Sequence, residues 1–207
     1  DQKLNFLFRE LKKKYSKVVV ALSGGLDSTI ILDKAKKYFQ SNTYAATCSL
    51  QKNKASKLTE DMIHAENISK ELKVQHIKIL FDEKFVIKNL NKILYTSQDW
   101  RDYNVHCAVI NYVLAQNIKK KFNLKKTVLI TGDFMNEYFA DYEEEKFEGK
   151  TYYKQLRTNQ KIRQRFFIKG LDSSAREVGV FEYFGIQNFQ PYFIVKSNYE
   201  SLKEKEL

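Results

Sequence analysis

At 207 residues the chain is long enough to bury a real core as one domain, or one domain with a small appendage, without a metal or disulfide staple. Apolar residues make up 43 % of it and aromatic residues 14 %, which excludes a disordered chain. Lys and Arg number 36 against 25 Asp and Glu, a formal net charge of +11 that favours anionic partners such as nucleotides, nucleic acid or an acidic protein, although runs such as LKKKYSK and IKKKFNLKK also read as solvated helix faces.

In chain order, Leu4, Leu7, Leu11 and Tyr15 recur at helical spacing, and KVVVALS then switches to a continuous apolar run of strand length. Such a run suits a parallel strand buried on both faces. From Asp27 the pattern is helical again, with Ile30, Ile31, Ala35, Tyr38 and Phe39 on one side. TYAATCSL reads as a second strand, LTEDMIHAENISKEL as a helix and VQHIKIL as a third strand. Helices around 84–94 and from about 103 to 120, then the strand TVLITG, complete the series. Strands alternating with helices predict an α/β fold, an open parallel sheet with helices on both faces. Right-handed crossovers would bring the ends of the first and fourth strands to one edge, where ligands of open α/β folds bind.

After residue 142 the pattern weakens. The acidic DYEEEKFEG and basic KQLRTNQKIRQR are expected to form a lid or mobile loop over 143–170, in which Lys154, Arg157, Lys161, Arg163 and Arg165 are candidates to close over phosphates. The aromatic-rich tail, 171–207, is expected to be a small C-terminal extension packing on the core of residues 1–142. Cys48 and Cys107 are far apart, with no CxxC or zinc spacing, and no apolar run approaches the roughly 20 residues that span a bilayer. Those features, with an N-terminal segment that reads as an amphipathic helix and not a signal, predict a cytoplasmic protein.

Ser23-Gly24-Gly25-Leu26-Asp27-Ser28, between the first strand and the second helix, has the makings of an anion site. Glycines there permit backbone angles and close approaches that a Cβ would block, and a helix N-terminus points free N–H groups at the anion. Ser23, Ser28 and Thr29 add hydroxyls. The string SGGLDS resembles the pyrophosphate-binding signature of the N-type ATP pyrophosphatases (PP-loop proteins, or adenine nucleotide alpha hydrolases). This superfamily includes asparagine synthetase, GMP synthetase, lysidine synthetase and several tRNA thiolases. The resemblance implies ATP as co-substrate and chemistry at its α-phosphate: a carbonyl or carboxylate oxygen attacks, pyrophosphate leaves, and a nucleophile displaces AMP. Leu22 to Gly25, Asp27, Ser28, Thr29, Ser49 and Gly132 are the implied nucleotide-binding residues, Ser49 because it ends the strand whose tip contacts adenosine in the superfamily.

VLITGDFMNEYFADY, residues 128–142, is similar to the SGEGADELFGGY-type segment of asparagine synthetase, with Gly132, Glu137, Phe139 and Tyr142 aligned and Asp133 at an acidic position. This implies Mg²⁺ near Asp27 and Asp133, since Mg²⁺ takes oxygen ligands and shields the charge of a leaving group. Helix N-capping is the alternative role for Asp133. Asn136 stands where the family usually has a second aspartate, and LDSSAREVGVFEYFG only loosely echoes the later segment on the substrate side. The chain holds no counterpart of the glutaminase domain, so nitrogen is expected as ammonia, as an amine or from a separate donor protein.

Cys107, near the predicted start of a helix, lies in the region that holds a catalytic cysteine in the superfamily's tRNA thiolases. It reads either as a persulfide-forming nucleophile or as a small buried residue; Cys48 reads as structural. His106 is a candidate general base, Asp99, Arg101 and Asp102 are candidate contacts to a polar substrate, and His64 and His76 read as structural or surface residues. Three functions follow as expectations. The first is an asparagine-synthetase-like enzyme that adenylates an oxygen and replaces it with nitrogen. The second is a sulfurtransferase acting through Cys107 on a small molecule or nucleobase. The third is a catalytically silent nucleotide- or RNA-binding module. The acceptor is a small molecule or nucleotide, with RNA not favoured.

Overall fold

The structure is a computed structural model that describes residues 2–51, 58–100, 102–133, 144–147, 150–153 and 174–196. β1 (Lys17–Ala21) is built on three consecutive valines, whose branched Cβ atoms favour extended backbone, and Val18, Val19 and Val20 are each 0 % exposed. Beside it lie β2 (Thr43–Leu50) on one side and β4 (Thr127–Ile130) on the other; β3 (Gln75–Phe81) extends the sheet beyond β2. All pairings are parallel, as the alternation of strands and helices predicted.

The fifth strand was not legible in the sequence. β7 (Asn188–Phe189) pairs in parallel with β4, giving the order β3-β2-β1-β4-β7, so the segment after residue 171 completes the sheet. The order reverses beside β1: β2 and β3 run off to one side, β4 and β7 to the other. The crevice at such a switch point lies above the carboxyl ends of β1 and β4.

Alternate side chains of β1 face opposite layers. Val18 and Val20 join the core formed with α1 (Gln2–Lys14), α2 (Leu26–Phe39) and Ala65 of α3 (Glu60–Glu71). Val19 joins Leu129, Ile77 and Ile79 against Ile93 of α4 (Glu83–Ser97), Tyr112 and Leu114 of α5 (Asp102–Lys121) and Phe181 of α6 (Ser174–Tyr183). Each fully buried valine contributes about 1.5–3 kcal/mol, so β1 anchors both layers. β3 is an edge strand and alternates instead, with Ile77, Ile79 and Phe81 buried and Lys78 and Leu80 exposed.

Within the segment expected as a loop or lid, β5 (Glu144–Phe147) and β6 (Lys150–Tyr153) pair as an antiparallel hairpin, with Glu144 opposite Tyr153 and Phe147 opposite Lys150. The basic residues Lys154, Arg157, Lys161, Arg163 and Arg165 lie outside the described residues. Among the described residues no helix is long and apolar enough to cross a membrane.

α6 meets α4 at a point where only glycine fits: a Cβ on Gly179 would stand 2.3 Å from the Thr96 carbonyl oxygen. Gly179→Ala must therefore push the two helices apart, and we expect it to lower stability by about 1–3 kcal/mol, read from urea unfolding.

Candidate active site

The turn between β1 and α2 is held by its own hydroxyls. The Leu22 amide donates to the Ala46 carbonyl at 2.9 Å and the Leu22 carbonyl accepts from the Thr47 hydroxyl at 2.7 Å, so the strand end is tied to β2 before the chain turns. His76 Nε2 lies 2.8 Å from the same Thr47 hydroxyl, which gives this histidine a structural role. Gly24 then takes φ +88°, the left-handed region, and presses against α3: a Cβ there would lie 2.9 Å from His64 Cβ and 3.0 Å from the Asp61 carbonyl. Gly25, the N-cap of α2, has ordinary φ −80° and only Ser23 Oγ near its would-be Cβ, at 3.4 Å. The two glycines thus differ: the first is required by conformation and by the packing of α3, whereas the second leaves an open face beside the helix N-terminus.

The hydroxyls of Ser23, Ser28 and Thr29, expected as donors to the anion, bond within the turn. Ser23 Oγ accepts from the Gly25 amide at 3.2 Å, and Ser28 Oγ accepts from the Ser23 amide at 3.2 Å. Ser28 and Thr29 both donate to the Gly25 carbonyl, at 3.2 and 2.7 Å. They therefore stiffen the turn, while the first-turn amides of Leu26, Asp27 and Ser28, which have no intrahelical acceptor, carry the N-terminal positive end of α2. A helix end of this kind, with free amides, is suited to an anion.

β4 delivers the second half. Its last residues bring Gly132 so close to α2 that a Cβ would sit 3.1 Å from the Ser28 amide nitrogen and 3.2 Å from its Cα. Asp27 and Asp133 are therefore carried by neighbouring backbones, and both are half-buried. Burial raises the Asp27 carboxyl pKa, and the Asp27 carbonyl accepts from the Tyr192 hydroxyl at 3.1 Å. Tyr192 belongs to α7 (Pro191–Lys196), which so fastens the chain after β7 onto the nucleotide turn.

Asp133 has a partner that the sequence reading missed. Glu177, in the first turn of α6 and 1 % exposed, hydrogen-bonds Asp133. Burial first, and then the charge of Asp133 and the hydrogen bond to it, push the Glu177 pKa well above the usual carboxylate range. Glu177 Oε2 also accepts from the Thr131 hydroxyl at 3.4 Å and from the Gln190 amide, and Oε1 lies 3.5 Å from Arg176 Nη2. Arg176 Nη1 donates to Asn104 at 2.7 Å, and Asn104 in turn donates to Asp99 at 2.6 Å. A signal was present in the sequence: Glu177, Phe181 and Phe184 are spaced i, i+4, i+7, which places a carboxylate on the face of α6 whose other members are buried.

The other candidates scatter. Ser49 is 2 % exposed and its hydroxyl lies 3.2 Å from that of Thr59, so its side chain presents no open face to an adenosine. Cys48 Sγ contacts the Ile110 carbonyl at 3.9 Å and burial raises its thiol to about 12, the structural role expected of it. α5 starts at Asp102, which puts exposed His106 and half-buried Cys107 beyond its first turn, where the field of the helix end has fallen away. Asp99 is engaged with Asn104. Asn136, Glu137, Phe139, Tyr142 and Arg101 lie outside the described residues.

Asp27 and Asp133 offer hard oxygen donors next to the anion-binding turn. Among the described residues no three or more His, Cys, Asp or Glu side chains gather into a metal-holding group. Mg²⁺ bound through one or two carboxylates and the phosphates of its nucleotide requires no such group, so this donor set fits it.

The asparagine synthase family profile matches residues 10–190. No curated protein matches the chain in sequence. Among solved structures the chain is similar to the NH3-dependent NAD synthetase from Campylobacter jejuni, at 15 % identity and TM-score 0.44, covering 86 % of this chain and 75 % of that one. It is also similar to the NMN synthetase from Francisella tularensis, at 16 % identity and TM-score 0.47, over 90 % and 76 % of the two chains. A third, the glutamine-dependent NAD+ synthetase from Acinetobacter baumannii, aligns at 14 % identity and TM-score 0.49 over 65 % of this chain, which spans a quarter (25 %) of its length. With the family profile covering nearly all of the sheet and both halves of the crevice, the chain belongs to the asparagine synthase family of PP-loop ATP pyrophosphatases.

Proposed function

We propose that the protein is an ATP-dependent, AMP- and pyrophosphate-forming ligase that adenylates a carboxylate or carbonyl oxygen of a small-molecule acceptor and replaces it with nitrogen. The observation that carries this reading is the contact of Gly132 with the first turn of α2, 3.1 Å from a would-be Cβ to the Ser28 nitrogen, which joins an anion-binding helix end to two carboxylates at the switch point. In this reading the free amides of α2 hold the pyrophosphate portion of ATP and Gly25 lets it approach the backbone. Asp27 and Asp133 would hold Mg²⁺, which shields the charge that builds on departing pyrophosphate. The acceptor oxygen attacks the α-phosphorus, the bond to the β-phosphate oxygen breaks, and ammonia or an amine then displaces AMP from the activated carbon. Glu177 donates a hydrogen bond to Asp133 and so fixes the direction of that carboxylate.

The test is incubation with ATP, Mg²⁺, ammonium and a panel of ¹⁸O-labelled carboxylic acids. AMP and pyrophosphate should appear together, with one ¹⁸O in the AMP phosphate; ADP formation, or AMP free of label, would refute the reading. Asp133→Asn is expected to lower kcat/KM for ATP by about 10²-fold or more, as loss of a charge aimed at the reacting phosphates does elsewhere. Cys107→Ala should keep its turnover within about twofold, because nitrogen transfer gives that thiol no role. Loss of activity in that variant alone would favour sulfur chemistry.

The raised Glu177 pKa has a signed consequence for stability. The unfolded carboxyl loses its proton around pH 4–5, as an ordinary glutamate does, whereas the native one keeps it to higher pH, so the native state binds more protons and stability falls as pH rises towards the native pKa. Glu177→Gln imitates the protonated acid. Its melting temperature should therefore gain on that of the parent protein as pH rises above about 5, until the native carboxyl itself ionises. Parallel curves would show that Glu177 is ionised in the native state.

A further inference from the structure

Twelve of the described lysines lie away from the turn between β1 and α2. In an all-parallel sheet each helix that precedes a strand ends at the amino edge, opposite the crevice. The last turn of α1 carries Lys12, Lys13 and Lys14, that of α2 Lys36 and Lys37, and that of α5 Lys119, Lys120 and Lys121. Lys17 opens β1, Lys73 precedes β3, and Lys125 and Lys126 precede β4. All are exposed except Lys17 and Lys36, which are half-buried. The corners are tied together: the Ser16 amide donates to the Lys126 carbonyl at 3.0 Å, and Lys36 Nζ donates to the Lys73 carbonyl at 3.3 Å. The acidic groups described along this edge are Glu10, paired with Lys13 at 2.6 Å, and the exposed Glu71 and Glu182.

Basic last turns offset helix dipoles, but that needs one or two charges per helix and does not explain Lys17, Lys73 or the pair before β4. Nor can these lysines act on ATP. Lys37 stands twelve residues along α2 from Gly25, about 18 Å at 1.5 Å per residue, twice the screening length of physiological salt. The edge has the composition of a polyanion site. Protein interfaces are depleted in lysine and have an apolar centre, and membrane-surface helices add apolar side chains that insert. Of the large apolar side chains in the described part of this edge only Tyr183, at the end of α6, is well exposed, at 50 %.

We propose that this lysine edge, on the side of the sheet opposite the candidate active site, binds the phosphate backbone of a nucleic acid. Point-charge ammonium groups spread over a broad edge fit sequence-independent backbone contact, and exposed Tyr183 offers a ring for a base to stack on. The inference is independent of the proposed reaction, since its readout is binding alone.

The test measures fluorescence anisotropy of a labelled single-stranded RNA of about 20 nucleotides, long enough for the handful of phosphates the edge can reach. If about six phosphates are engaged, affinity should fall on the order of 10²-fold between about 50 and 200 mM KCl. The triple variant Lys120→Gln, Lys121→Gln, Lys125→Gln should weaken binding about tenfold or more and reduce the salt slope by about 2. A control with the same charge loss on α4, Lys84→Gln, Lys88→Gln and Lys92→Gln, should leave both unchanged. Circular dichroism establishes that both variants are folded. Absence of saturable RNA binding, equal weakening by the two triple variants, or binding only to phosphatidylserine vesicles or to polyglutamate would each overturn the proposal.

Discussion

The close approach of Gly132 to the start of α2 is the constraint on which the site depends. Two chain segments about a hundred residues apart in sequence, the turn after β1 and the turn after β4, become one surface because β1 and β4 are hydrogen-bonded neighbours in register, Val20 opposite Ile130. A side chain at 132 would wedge that surface open. The parallel pairing brings both segments to the same edge; the missing Cβ lets them touch. The bond from the Tyr192 hydroxyl to the Asp27 carbonyl closes the arrangement from a third direction.

Behind that contact is a buried polar cluster whose centre is Glu177. A carboxyl 1 % exposed is destabilising unless it is protonated or fully bonded, and here Thr131, Gln190, Arg176 and Asp133 all meet it. The cluster joins the ends of β4 and β7 to α6 and, through Asn104 and Asp99, to the junction of α4 and α5. Gly179 sits one half-turn further along α6, where it lets α4 approach within the reach of a single atom. Position of the Asp133 and Glu177 carboxylates and packing of the second helical layer are thus the same problem.

Charge is separated along the strand direction. Helix N-termini, with Asp27, Asp82 capping α4, and the Asp133–Glu177 pair, collect at the carboxyl edge, while the lysines in the last turns of α1, α2 and α5 collect at the amino edge. Each end complements its own helix dipoles, so the arrangement costs little stability.

Much of the fold was legible in the amino-acid sequence for local reasons. Three consecutive valines specify a doubly buried strand, spacing of 3–4 residues marks the inward faces of α1, α2 and α3, and Ser-Gly-Gly before Leu-Asp-Ser marks a strand-to-helix turn. These are signals carried within ten or fifteen residues, by periodicity and by the steric freedom of glycine. What only the tertiary structure decided is non-local. β7 has two residues, too few to carry a period, and is a strand because Leu129 and Ile130 offer it an open edge. Glu177 joins the site because strand order places α6 against the end of β4, 44 positions from Asp133 in sequence. The lysine runs, ambiguous as strings, become one surface because parallel strands put every preceding helix end on the same side: the composition determined how much charge the protein carries, and the topology determined where it is.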